Sequence, residues 1–214
     1  MNIIFLIISF IIAITFHEAG HAWMSDRLGD PTAKIRGRLS LNPIKHLDIY
    51  GTVIIPLFLM FIGSPFVFGW AKPVEFDPYN LKNPKKDTAL ISLAGPGVNL
   101  ILAIIASIFL RFFNNPFSTL YLFHYLFIYL VSTNIALAVF NLIPIHPLDG
   151  GKILIGLLPE RDTAEADQFL RRYGLILLFL LIFPLFRGVS AISLILIPIL
   201  KFLMGILAPG ISFI

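Results

Sequence analysis

The chain contains no cysteine, which excludes disulfides and thiolate metal ligands. Charge is scarce as well: Asp, Glu, Lys and Arg make up 13% of the 214 residues, and apolar residues 57%. That is too little polarity to cover a water-soluble domain of this length. No arginine-rich helix or aromatic platform of the kind that binds nucleic acid is present, so the net charge of +4 reads as membrane orientation. The N-terminal apolar run lacks a basic n-region and a small-residue cleavage site, so it is expected to persist as a helix. No internal repeat or disordered linker divides the chain. Residues 1–214 are therefore read as a single membrane-embedded domain, with core motifs within 3–151.

What the chain does have is continuous apolar sequence. The runs at 3–24, 88–110 and 120–143 do not alternate, which favours helices over a barrel. The first run, at ~1.5 Å per residue, spans about 33 Å, enough for a bilayer core. A final apolar hairpin is expected at 173–208 around Arg187-Gly188, kinked at Pro184 and Pro198, after a mixed-charge segment at 159–172. The piece AKIRGRLSL, residues 33–41, alternates partly and predicts a short strand or hairpin.

Residues 52–69 are apolar but broken by Pro56 and by Gly63-Ser64-Pro65. If this segment crossed the membrane, the basic loops 25–50 and 71–87 would lie on opposite sides. If it dips in and returns, 13 of the 16 Lys and Arg residues share one side, the exceptions being Arg111, Arg187 and Lys201. The positive-inside rule makes that side cytoplasmic. The expected fold is therefore an all-α polytopic membrane protein with a re-entrant segment and a short β element.

The sharpest motif is HEAGH, residues 17–21. Histidines four apart on a helix share a face and can offer ring nitrogens to one zinc ion. Glu18 is placed to act as general base. A cluster of this kind inside an apolar helix is costly and needs a partner. A third ligand is also required, and Asp149 is the best candidate. It lies in NLIPIHPLDGG, residues 141–151, where Pro144 and Pro147 stiffen the chain and Gly150-Gly151 allow tight turning. By itself Pro-Leu-Asp-Gly is an ordinary turn.

HEAGH and NLIPIHPLDGG together resemble the two signatures of the site-2 protease family, the M50 intramembrane zinc metalloproteases. GDPTAKIRGRLSLNPIKHLD (29–48), FGWAKPV (68–74) and LAGPGVN (93–99) look like its compact prokaryotic branch. The resemblance implies His17, His21 and Asp149 as ligands of one zinc per chain and Glu18 as the catalytic glutamate. It also implies hydrolysis of peptide bonds in or near transmembrane segments of membrane-protein substrates. A multi-pass protein of the prokaryotic cell (inner) membrane follows, with its active site nearer the cytoplasmic side.

Other positions stay open. Residue 146 is a histidine where the branch often has proline. His146 can compete as a ligand, support Asp149, shuttle protons, or simply be tolerated at the cavity mouth. Asn141 can bind a substrate carbonyl or an oxyanion. Asn99 and Asn134 read as interhelical hydrogen bonds, Gly95 and Gly97 as close-packing positions. His46 reads as solvated, His124 as packed near the interface, and Trp70 and Lys72 as interfacial anchors or cleft rims. Two other functional classes also use intramembrane His and carboxylate groups. A zinc transporter or channel predicts metal flux without cleavage, and a catalytically dead binding scaffold is disfavoured by the intact Glu18.

Overall fold

The computed structural model describes residues 2–61, 71–113, 120–183 and 190–209, and within these the chain is helical, with no strand. The helices are α1 (Asn2–Leu28), α2 (Thr32–Ile35), α3 (Ile55–Phe61), α4 (Pro84–Phe112), α5 (Tyr121–Asn141), α6 (Asp149–Leu157), α7 (Glu160–Ile182) and α8 (Ala191–Leu207). Of these, α1, α4 and α5 are long and apolar enough to cross a bilayer. The protein is an all-α polytopic membrane protein, as its composition requires.

α4 is the centre of the bundle, packed against α1, α5 and α6, while α8 lies against α5. The buried faces are built of small side chains: Ala13 and Ala22 of α1, Ala103 and Ala106 of α4, Ala138 of α5. Large residues such as Ile104, Ile105 and Phe109 point outward. Lipid tails are as apolar as these side chains, so close backbone approach, rather than hydrophobic burial, holds such helices together. One end is filled by a larger cluster of Leu110, Val131, Ile135 and Met204.

The dip-and-return reading of residues 52–69 has a direct structural counterpart. The Lys72 N–H donates to the His46 carbonyl at 2.9 Å. The chain therefore leaves the bundle after His46 and comes back to the same point. Between them, a π-helical turn (Ile49–Ile54) runs into α3. These two pieces, 6 and 7 residues long, reach at most about 20 Å, short of a full crossing. Residues 62–70 lie outside the described residues, and with them the Gly63-Ser64-Pro65 break and Trp70.

The predicted β element is not formed. Residues 32–35 are α2, and the next donors are spent locally: Arg36 N–H on Thr32 C=O (3.0 Å), Gly37 N–H on Lys34 C=O (2.9 Å) and Arg38 N–H on Ala33 C=O (2.8 Å). Gly37, at φ 70°, supplies the left-handed residue that ends the helix. A strand needs those N–H groups for a neighbour, and here they are consumed. The mixed-charge segment 159–172 is likewise no loop but the first part of α7, which carries Glu160 and Asp162 in its opening turn, where the helix dipole favours anions. Pro184 and Arg187-Gly188 of the expected hairpin turn lie outside the described residues.

The loop after α1 is anchored by Asp30, which is fully buried. It accepts from Ser25 Oγ (2.9 Å), Thr32 N (3.1 Å) and Oγ1 (2.6 Å), Asp77 N (2.9 Å) and Asn80 Nδ2 (2.8 Å). Burial alone would raise its pKa, but these donors outweigh it and hold the carboxyl at about 2. Asp30 thereby fastens the returning chain at Asp77–Asn80 to the end of α1.

Because the chain has no native thiol, single cysteines at Lys34 and Lys82 report topology cleanly. Both should react with an impermeant maleimide from the same side of sealed vesicles. Labelling from opposite sides would mean that residues 47–71 cross the membrane.

Candidate metal centre

His17 and His21 lie one turn apart on α1, well inside the helix. Counting back from Leu28, they sit about 10–16 Å from its end. Asp149 is the first residue of α6. The fold brings the three together: His17 Nε2 is 3.1 Å and His21 Nε2 3.2 Å from Asp149 Oδ2, and the two Nε2 atoms are 3.0 Å apart. All three side chains are buried. Among the described residues this is the group of ligating side chains whose atoms converge as a metal site would need.

The tautomers follow from the neighbours. Asn99 of α4 uses its amide hydrogens on Ala13 C=O (3.0 Å) and Asn134 Oδ1 (2.8 Å), so its Oδ1 is left to accept. It accepts from His17 Nδ1 at 2.6 Å. His21 Nδ1 donates to the Ile91 carbonyl at 2.7 Å. In a neutral ring the hydrogen is then on Nδ1, and Nε2 presents a lone pair. Two such nitrogens and a carboxylate oxygen, packed at van der Waals distance in a buried site, repel one another unless a cation lies among them. A tetrahedral zinc with ligands at ~2.0–2.1 Å separates those ligands by about 3.3–3.4 Å. The donor set and its spacing therefore fit zinc.

Local sequence explains the placement. Gly95 faces the two imidazoles, and a Cβ there would collide with both rings. Its role is thus to make room for the cluster, beyond the helix packing that sequence reasoning assigned it. Gly97 faces open space. Pro96 lacks an N–H and presses on the preceding turn of α4, the turn next to the Ile91 carbonyl that His21 uses. On the other side, Gly150 and Gly151 lie against the backbone of residues 142–146, where a side chain would not fit. The loop can thus fold back onto α6 and direct Asp149 inward.

Glu18 is buried beside His17, and its Oε2 accepts from the Val74 N–H at 3.1 Å. That donor belongs to the extended stretch 71–77 that returns from the excursion. Asn141 is turned back onto its own helix, donating to Leu137 C=O at 3.0 Å. His146 is half-buried against Gly174 of α7, away from the converging ligand atoms. Burial, and then the cations Lys152 and Arg171, hold its imidazole below the ordinary range. His124 is buried and stacked on Tyr121, as its aromatic surroundings implied. His46, expected to be solvated, is fully buried. Sequence reasoning missed Asn99 as the partner of His17. The available signal was an amide inside an apolar helix of the LAGPGVN motif.

The family model of peptidase family M50 matches residues 5–124 and 115–181. Over 187 residues the chain is 40% identical to YwhC of Bacillus subtilis (strain 168), covering 84% of this chain and 80% of that protein. It is 31% identical over 183 residues to Rip2 of Mycolicibacterium smegmatis, covering 85% of this chain and 68% of that one. Both are named, provisionally, as zinc metalloproteases. MJ0392 of Methanocaldococcus jannaschii, named a zinc metalloprotease, is 28% identical over 166 residues, 75% of this chain and 37% of its own length. No solved structure matches the chain.

Two substitutions test the cluster through metal content. Asp149→Ala should remove most zinc from the purified protein, measured by elemental analysis. Asn99→Leu should retain the fold but weaken zinc by about 10–100-fold in chelator competition, the usual cost of losing a partner that orients a ligand. Wild-type zinc affinity in the Asn99 variant would exclude it as the group that orients His17.

Proposed function

This chain belongs to peptidase family M50 and is a zinc metalloprotease with membrane-spanning helices, and on that premise we propose that it cleaves peptide bonds within or near transmembrane segments of membrane proteins. The observation that carries the reading is the depth of the cluster. His17, Glu18 and His21 are buried within a helix apolar enough to span the bilayer, below its end and not in an aqueous loop.

In this reading His17, His21 and Asp149 hold the zinc and Glu18 is the general base. Zinc, when bound, supplies a Lewis acid and a water of lowered pKa. The Val74 N–H holds one oxygen of Glu18, Oε2, which limits how the carboxylate can turn. Glu18 accepts a proton from the attacking water and delivers it to the leaving amine. Asn99 and Ile91 keep both imidazoles in the ligating tautomer throughout.

A substrate helix must open before its backbone can be cut. An open cavity of about 370 Å³ lies along the same stretch of α1, on a different face from His17, Glu18 and His21, lined by Phe16, Ala19 and Trp23 of α1, Leu39 and Leu41 of the following loop, and Val98 of α4. Its apolar walls suit an unwound segment of a membrane helix better than a charged peptide. With 13 of the 16 Lys and Arg residues on the side where α1 ends, the site faces the cytoplasmic half of a prokaryotic cell membrane.

Glu18→Gln separates base from ligand. The variant should bind zinc and fold like wild type, while cleavage of single-span substrates carrying helix-breaking residues falls by about 10²–10⁴-fold. Undiminished cleavage by Glu18→Gln would refute the assigned base. Equal cleavage of soluble unfolded chains would refute the preference for transmembrane substrates. Zinc flux in proteoliposomes without a Glu18-dependent product would favour a transporter.

A further inference from the structure

We propose that His46 is a positioning residue that clasps the wall of the apolar groove to the chain segment holding Glu18. The proposal rests on Glu18 acting as the base, but its physical content, the clasp, is independent of that.

His46 is fully buried in a loop whose apolar member Ile44 is 80% exposed. A loop that hides an imidazole and leaves an isoleucine in the open is not arranged by hydrophobic burial. The ring is instead spent on a hydrogen bond. Its Nε2 donates to the Ser40 carbonyl at 2.7 Å, since a carbonyl can only accept. The backbone of the same residue accepts from the Lys72 N–H at 2.9 Å. Its own N–H donates to Pro43 C=O at 2.9 Å, which holds it in a tight turn. Nδ1 is buried without a partner among the described residues. An apolar side chain of similar size would fill the space without that penalty, so filling space is not what the histidine is for.

The two ends of the clasp lead to the two halves of the site. Ser40 lies between Leu39 and Leu41, and all three line the groove opposite Phe16, Ala19 and Trp23. Two residues beyond Lys72, the Val74 N–H holds Glu18 Oε2. Phe16, Glu18 and Ala19 belong to the same turn of α1. The connection is thus a closed ring: α1 through Glu18 to Val74, along the chain to Lys72, across to His46, to Ser40, and over the groove back to α1. The returning chain is also tied to the end of α1 through Asp77 and Asn80 on Asp30, away from the groove wall, while the ion pair of Arg36 with Glu75 has both side chains more than half exposed and is worth little. A segment lying in the groove would bear on Leu39–Leu41, and His46 would carry that displacement to the residues that set the Glu18 carboxylate. The metal ligands do not depend on this ring, because Asn99 and Ile91 of α4 orient the histidines.

The absence of native cysteine allows a direct test on the full-length, zinc-loaded protein in micelles. Trp23→Cys with Leu39→Cys places one thiol pair across the groove, to be joined by a short bifunctional maleimide. In that background and without it, His46→Ala and His46→Gln are compared, the glutamine amide standing in for the Nε2–H. His46→Ala should lower cross-linking at least about threefold and kcat about tenfold or more, with zinc content unchanged, and His46→Gln should recover much of both; a misplaced catalytic group is the expected source of the rate loss. Unchanged cross-linking and kcat in His46→Ala would overturn the proposal, as would a glutamine variant no better than alanine. Should His46→Ala lose zinc through misfolding, Lys72→Pro decides. It removes the N–H that His46 accepts, at an exposed position, and must lower kcat with zinc retained if the clasp exists, whereas Lys72→Ala, which keeps the N–H, controls for the lost side chain and must not. A wild-type protein with no Glu18-dependent cleavage would refute the protease reading while the cross-linking arm still judged the clasp.

Discussion

Three lone pairs converge at about 3 Å in the interior of an apolar bundle, and much of the local architecture exists to hold them there. His17 and His21 share one face of α1, Asp149 opens α6 far along the chain, and nothing apolar drives them together. A shared metal ion would relieve their mutual repulsion and so would be as much a structural element as a chemical one. α4 supplies the counterpart on its facing side. Gly95 removes a side chain where the imidazoles need space, Ile91 and Asn99 accept the outer N–H groups, and Asn134 of α5 fixes Asn99 in turn. The chain of hydrogen bonds ends with Asn134 donating to Leu130 C=O at 2.8 Å, so each side-chain amide in it has a partner. In a membrane interior such pairing matters, since no water is at hand to replace a missing partner.

A second set of constraints acts on Glu18. Its position is set by a backbone N–H from an extended stretch that has no regular partner of its own. That stretch is pinned at one end by Asp77 and Asn80 on Asp30, and at the other by Lys72 on His46. The candidate ligands His17 and His21 are oriented from the spanning helix α4, whereas the Glu18 carboxylate, on the same turn of α1, is held from a returning segment tied down by buried polar residues.

Much of this was legible in the chain. The spanning helices were visible because lipid demands long uninterrupted apolar runs; α1 and α4 extend past their expected limits only at the ends, and α5 stops just inside its own. His17, His21 and Asp149 were legible because ionisable residues in such sequence are too costly to be incidental. The charge count pointed to a dip and return over 52–69, and the Lys72–His46 bond brings together the chain on either side of that segment. The strand expected at 33–41 failed because alternation is a weak signal over a few residues. Local helical hydrogen bonds and Gly37 took the same N–H groups. His46 was misjudged for a related reason, since a histidine among polar loop residues carries no sequence mark of burial.

By itself, then, the sequence determined that this is a helical membrane protein with a two-histidine, one-aspartate metal set and a glutamate beside it. The helices and the His17–His21 pair rest on composition and helical period, which are local, and Asp149 on its proline- and glycine-rich break and on the family resemblance. Only the tertiary structure decided that Asn99 orients His17, that Gly95 makes room for the rings, and that Val74 and His46 bear on Glu18. The contacts behind these, Lys72 with His46, Val74 with Glu18, Gly95 with the imidazoles and Asn99 with His17, join residues from 26 to 82 positions apart in the chain. Hydrogen bonds across such separations have no period and no composition. They exist only once the helices have packed and a buried polar group must find its partner.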